Sequence, residues 1–371
     1  MALLNHRDPD EAANQLAGWL AGRIEGADDV RVLGVEVPAS SGLSNETILF
    51  DTAWRDKDGD RRRRLVARVE PTGPSVHPSY DLDREFRVMQ ALSVHGVVPV
   101  PTPLWIEANP EVLGARFLVM ERVDGRIPAD DPPFTMGGWV VELEPHAQAA
   151  LYANGLEAVA AIHRANWAAL GLGVVDRAEY GPAGIEQQLG YWESTFEWAA
   201  DGQDNPTVAA ALAWARDNRP PDGGPLALNW GDARVGNIIF ADDLSVAAVL
   251  DWEMVALANP ELDLGWWLFI TRYCTEGVGA PLPAGFLDRG ATIERYQELT
   301  GHTVEHIDYY ETFAAIRLAI LYHRAGVLML KAGVVPANST MSVNNPITQL
   351  LAGMGNFPRP AGQAESLVGK R

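Results

Sequence analysis

The chain has 371 residues, 47% of them hydrophobic, which suits one two-lobed unit or two domains and excludes general disorder. Its 29 basic against 49 acidic residues give a formal net charge of −20, which argues against nucleic acid or an anionic membrane surface as the main partner. Cys274 is the only cysteine, the first residues lack the apolar core of a signal peptide, and no run approaches about 20 apolar residues, so a cytoplasmic protein, monomer or homodimer, is expected.

In chain order, Asp10 to Gly22 reads as an amphipathic helix with Ala13, Leu16, Ala17 and Leu20 at helical spacing. Strands follow at Val30–Val37 and Thr47–Trp54. The turn between them, Ser40 to Thr47, is rich in small hydroxyl residues, and its backbone amides at Ser41, Gly42, Ser44 and Asn45 can lie against a phosphate. Asp56 to Asp60 fails as a calcium loop, because its glycine comes two places early and Ala67 stands where the closing Glu belongs. With Arg61 to Arg64 it reads as a solvated hairpin tip. Leu65–Glu70 is a third strand that sets Val66 and Arg68 on one face. A helix from Tyr80 to Ser93 buries Leu82, Phe86 and Met89, with Glu85 on the flank of that stripe. Trp105 and Ile106 start a hairpin that Arg116–Glu121 closes.

Beyond Gly125, residues 129–145 are rich in Pro, Gly and Asp and read as loop. Helices are expected at Ala147–Asn166, where His163 is a satisfied buried histidine, at Ile185–Ala200, and at Thr207–Arg216. Short strands at Ile238–Phe240 and Val246–Leu250 pair about Asp242-Asp243. Further helices begin at Leu264, with Trp266 and Trp267 divided between core and acceptor lining, and run over Ala284–Thr300 and Asp308–Gly333. The tail after Pro358 is expected to fray.

The chemistry concentrates between Leu228 and Asp263. Asp232 precedes Asn237 by five residues, and a hairpin then delivers Asp251. A carboxylate, a carboxamide and a second carboxylate in that order suit phosphoryl transfer. The expected roles are Asp232 as acceptor of a hydroxyl proton, and Asn237 and Asp251 as ligands of Mg2+ carrying the phosphates of ATP. Arg234 is near enough to balance charge on phosphate or substrate, Gly236 permits the turn, and Glu253 braces the site.

This Asp-x-x-x-x-Asn loop with its following Asp251-Trp252-Glu253 resembles the kinase fold, and most of all the aminoglycoside phosphotransferase and choline kinase family. Ala258 to Leu264 is similar to the family's Gly-x-Pro-x-x-Asp-Leu segment, with Asp263 as a loop anchor or helix cap. The turn at Ser41 to Asn45 resembles its Gly-x-Ser-Asn-x-Thr loop. The resemblance implies a bilobal, kinase-like α+β fold, with a β-rich ATP-binding lobe over residues 1–124 and a helical catalytic lobe over 125–371. It implies that Val66 covers adenine, that Arg68, braced by Glu85, reaches the phosphates, and that the hinge at Glu121 to Val123 hydrogen-bonds the base. Two departures stand out: Trp230 replaces the usual His, and Arg68 the usual Lys of kinases. The implied acceptor is a small-molecule hydroxyl, on an aminoglycoside-like or other alcohol. The Trp-Gly-Asp-x-Arg-x-Gly-Asn form is also similar to phosphotransferases associated with acyl-CoA dehydrogenases, implying a hydroxyacyl-CoA acceptor. Trp230 and Arg68 leave open a nucleotide-binding pseudokinase without transfer activity.

Overall fold

A computed structural model describes residues 7–38, 46–221 and 223–366, and these divide into two units. One runs to Gln90 and takes in Pro101–Val123; the other comprises Ala91–Val100 and the chain from Asp124 onward. A single boundary at residue 124 assigns 91–100 to the first unit, whereas that segment groups with the second.

The first unit begins with α1 (Pro9–Ala21), capped by Asp8, whose side chain accepts from the amides of Asp10 and Glu11. The strands β1 (Asp28–Glu36), β2 (Glu46–Asp56), β3 (Gly59–Val69), β4 (Pro103–Glu107) and β5 (Phe117–Glu121) form one antiparallel sheet in the order β1-β2-β3-β5-β4. Alternation explains its face: Ile48 and Phe50 of β2, Leu65, Ala67 and Val69 of β3, and Phe117 and Val119 of β5 are buried with Leu16 and Leu20 of α1. The helix α2 (Leu82–His95) follows β3.

The solvated hairpin tip expected over Asp56 to Arg64 is present but shorter, and Arg61 to Arg64 lie within β3. β3 starts at Gly59 and pairs with β2 in unbroken register, leaving only Lys57-Asp58 as the turn. Opposite charges across the pair carry this exposed extension: Arg61 donates to Asp56 at 2.9 Å, Arg62 to Asp51 at 2.8 Å and Arg55 to Asp60 at 2.8 Å. The candidate phosphate turn, with Ser41, Gly42, Ser44 and Asn45, lies outside the described residues.

The second unit contains α3 (Pro145–Arg164), α4 (Ile185–Ala200), α5 (Pro206–Asp217), α6 (Glu261–Arg272), α7 (Arg289–Thr300), α8 (Ile307–Lys331) and α9 (Pro346–Met354). Two small sheets pair β6 (Ala227–Asn229) with β9 (Ala256–Ala258), and β7 (Ile238–Phe240) with β8 (Val246–Val249). Neither β6 nor β9 was expected, since three residues are too few to show a period. Gly125 (φ +146°) lies near the start of this unit's main segment, and a Cβ there would meet the Phe240 carbonyl oxygen at 2.5 Å. Its neighbour Arg126 pairs with Phe240 through both backbone hydrogen bonds.

α8 is long and apolar enough, by length and composition alone, to cross a membrane; 89% of its most apolar stretch is buried in the protein, so it is a core helix. Two expectations are corrected here. α7 starts at Arg289 rather than Ala284 because Asp288 caps it, accepting from the Ala291 amide at 2.9 Å. The tail does not fray through residue 366: Asn344 donates to the carbonyls of Ala361 and Gln363, and the Glu365 amide to that of Asn344.

Candidate functional site

The loop that follows β6 is held before it is reactive. Gly231 sits at φ +95°, and a Cβ there would fall 2.1 Å from the Met254 carbonyl oxygen, so only glycine fits. Asp263, buried in the first turn of α6, accepts the Trp230 amide at 2.5 Å and the Gly231 amide at 2.8 Å. Pro260 is the helix cap, so Asp263 is a loop anchor and not a cap. His163 contacts the same carboxylate at 3.1 Å through Nε2 and the Tyr296 hydroxyl at 2.6 Å through Nδ1, the satisfied buried histidine expected. These partners offset the cost of burying the Asp263 charge.

Trp230 reinforces the same loop. Fully buried, it donates its indole N–H to the Leu250 carbonyl at 2.7 Å and the Asp251 carbonyl at 3.2 Å. A tryptophan in place of histidine thus ties the Asp232 loop to the segment carrying Asp251.

Two of the three sequence-predicted groups touch one another, and the β7–β8 hairpin returns the backbone next to the third. Asn237 Nδ2 donates to Asp232 Oδ2 at 2.7 Å and to the Asp232 carbonyl at 3.1 Å, which leaves Asn237 Oδ1 as the atom for a cation. The Leu250 amide donates to the Asn237 carbonyl at 2.9 Å, bringing Asp251, at φ +57°, alongside. Among the described residues no group of three or more His, Cys, Asp or Glu forms a metal cluster. One carboxylate and one carboxamide oxygen nevertheless fit Mg2+, which takes few protein ligands and completes its shell with phosphates and water.

Arg234 lies differently from its expected role. Its Nε donates to both Asp232 oxygens, at 3.1 and 3.2 Å, and its Nη1 to Asp130. Burial works against this cation, but Asp130, Asp232 and then Asp251 hold its pKa well above the usual arginine value. The pair also explains Gly236: a Cβ there would sit 2.5 Å from Asp130 Oδ1 and 2.6 Å from Arg234 Nη1. Close approach, rather than a positive φ, demands this glycine. Asp130 was missed, because in a Pro- and Asp-rich loop nothing local distinguishes it.

Trp266 and Trp267 are both buried and face different partners. Trp266 donates its indole N–H to Asp232 Oδ1 at 2.7 Å, and Trp267 donates to the Tyr152 hydroxyl at 2.8 Å. A cavity of about 780 Å3 opens beside α6, α7 and α8, lined among others by Thr271, Arg272, Arg289 and Glu311. Its lining does not include Asp232, Arg234, Asn237 or Asp251.

In the first unit, Val66 is buried and Arg68 half-buried on β3, in register with Met120 and Leu118 of β5. Glu85 is 2% exposed, so it is not a surface carboxylate. Of the hinge residues, the Glu121 amide is taken by the Thr102 carbonyl and the Arg122 amide by that of Arg64, both at 2.9 Å. Those sheet bonds leave Val123 as the hinge amide not drawn into them.

Comparison with known proteins agrees with this architecture. Over 228 residues, 61% of this chain, it is 35% identical to acyl-CoA dehydrogenase family member 11 of Gallus gallus, and spans 27% of that protein's length. A candidate aminoglycoside phosphotransferase from Ralstonia eutropha JMP134 matches with a TM-score of 0.65 at 23% identity, covering 92% of this chain and 95% of that one. The GDP and kanamycin complex of APH(2″)-IIIa matches with a TM-score of 0.53 at 14% identity, covering 82% and 90%. These structural likenesses establish the kinase-like α+β fold expected from the sequence. The sequence profile described as the phosphotransferase enzyme family matches residues 36–299, and the chain belongs to that family.

Proposed function

We propose that the chain transfers the γ-phosphoryl group of Mg-ATP to a hydroxyl of a small molecule. The observation that carries this reading is the gathering of Arg234, Asn237 and Trp266 on the Asp232 carboxylate, with Asp251 brought beside Asn237 by the hairpin. The acceptor hydroxyl gives its proton to Asp232 as its oxygen bonds to the γ-phosphorus and the bond to ADP breaks. Arg234 keeps that carboxylate oriented. Asn237 Oδ1 and the Asp251 carboxylate would hold Mg2+, which when bound neutralises charge on the β- and γ-phosphates. Val66, Arg68 with Glu85, the hinge at Glu121 and Val123, and the turn at Ser41, Gly42, Ser44 and Asn45 are proposed to hold the nucleotide. A structural relative in complex with GDP supports nucleotide use.

Asp251→Ala is expected to abolish Mg-ATP turnover, measured as ADP release; full activity in that variant removes the metal assignment. For the acceptor, an aminoglycoside-like or other alcohol is the first reading and a hydroxyacyl thioester the alternative; the match to a protein named as an acyl-CoA dehydrogenase, of which this chain spans 27%, is consistent with the alternative. ADP release across aminoglycosides, sugars, choline-like alcohols and hydroxyacyl thioesters decides between them. ATP binding without ADP release on any acceptor identifies a silent nucleotide-binding module instead.

A further inference from the structure

We infer that Arg317 of α8 is a positioning residue for Asp232, acting through the Gly231 carbonyl and the Trp266 indole. The inference rests on Asp232 being the base proposed above. Arg317 is fully buried and donates through Nη2 to the Gly231 carbonyl at 2.8 Å, one residue before the base. Its guanidinium carbon lies 4.4 Å from the ring centre of Trp266 and 5.3 Å from that of Trp192 on α4. The Trp266 indole in turn donates to Asp232 Oδ1 at 2.7 Å. The cation therefore touches both groups that set where Asp232 stands: the backbone that leads into it and the ring that hydrogen-bonds it.

Stability alone does not account for this arrangement. Nε and Nη1 of Arg317 are buried without a hydrogen-bond acceptor, and burial lowers its pKa to about 10 in spite of Asp263 and Asp232 nearby. A cation desolvated this far, with one neutral acceptor, costs more than a packed apolar side chain of similar size. What an apolar side chain cannot supply is a donor to the Gly231 carbonyl and a charge that holds the electron-rich faces of Trp192 and Trp266. A planar guanidinium bound to both rings restricts the Trp266 rotamer, and with it the direction of the N–H that meets Asp232.

The test compares Arg317→Met, Arg317→Lys and Trp266→Phe in the full chain, with folding checked by thermal melting. Arg317→Met is expected to lower kcat about 10- to 100-fold, the scale of a misplaced reacting group, with KM for ATP and acceptor within about twofold. Arg317→Lys, which keeps a charge and a donor, recovers part of that loss. Trp266→Phe keeps an aromatic face but loses the N–H, and reproduces the kcat loss. Because the two act through one another, the double variant Arg317→Met/Trp266→Phe loses no more than the larger single change. Should Arg317→Met fail to fold, the lysine and phenylalanine variants carry the same comparison. Independent of turnover, the indole N–H resonance of Trp266, assigned by its absence in Trp266→Phe, is expected to move in Arg317→Lys and in Asp232→Asn. Unchanged kcat in folded Arg317→Met, multiplicative losses in the double variant, or an unmoved indole resonance overturns the inference. Absence of turnover in the parent chain instead overturns the phosphotransfer reading.

Discussion

Two sets of arginines in this molecule lie at similar distances from their partners and do different work. On the exposed half of β3, Arg61 and Arg62 pair across the hairpin with Asp56 and Asp51, and Arg62 is 65% exposed at its side chain. In the second unit, Arg234 spans Asp130 and Asp232, and Arg317 lies wholly inside the helical core. Distances in the two sets overlap, so geometry of contact does not separate them. Solvent does. An exposed pair exchanges water for a partner at almost no net gain, about 0–1 kcal/mol, whereas a buried charge stripped of its partner costs about 3–5 kcal/mol. Arg317, wholly buried, and to a lesser degree Arg234, whose side chain is 19% exposed, are therefore better placed than the hairpin arginines to dictate where a neighbouring backbone or carboxylate must sit.

This contrast is easiest to break at Asp263. Asp263→Ala strips the Trp230 and Gly231 amides of their acceptor, removes a hydrogen-bond partner of His163, and takes away one of the two carboxylates, with Asp232, that offset the burial of Arg317. A loss of about 3–5 kcal/mol in denaturant unfolding is expected. A loss below about 1 kcal/mol would mean that burial does not govern the loop.

Glu107 gives an intermediate case. The Asn109 amide first, then the Trp19 indole and Arg23, hold its carboxyl down at about 2, against an ordinary 4.5. With the folded pKa lower than the unfolded one, the contribution is present above the ordinary value and lost as pH falls toward about 2. Glu107→Gln is expected to lower stability at neutral pH by about 1 kcal/mol, given the exposure of Arg23, and to flatten the acid limb of Tm against pH. An acid limb identical to that of the parent chain would place the titrating group elsewhere. The smallest effect is expected at Arg62→Ala, within about 0.5 kcal/mol of the parent. A larger destabilisation there would show that the hairpin extension depends on its charge ladder.

The parts of the site that were legible in the sequence are those whose partners are local. Asp232 and Asn237 lie five residues apart in one loop, and Asp251 follows across a short hairpin. His163 and Asp263 were read as a buried histidine and a loop anchor; the structure adds that they serve each other. What stayed hidden lies far along the chain: Asp130 meets Arg234 across 104 residues, Arg317 reaches Gly231 across 86, and Trp266 reaches Asp232 across 34. No local pattern marks such residues. The missed strands β6 and β9 failed for the opposite reason, being too short to carry a period.

By itself the sequence determined most strands and helices, because alternation, helical spacing and a tight hairpin are properties of neighbouring residues; its resemblance to a family implied the α+β class, and its motif named the candidate groups of the site. The tertiary structure alone decided how those groups are held. Which cation shares the Asp232 carboxylate, and which tryptophan of a pair meets it, follow from burial, and burial exists only once distant segments have packed together.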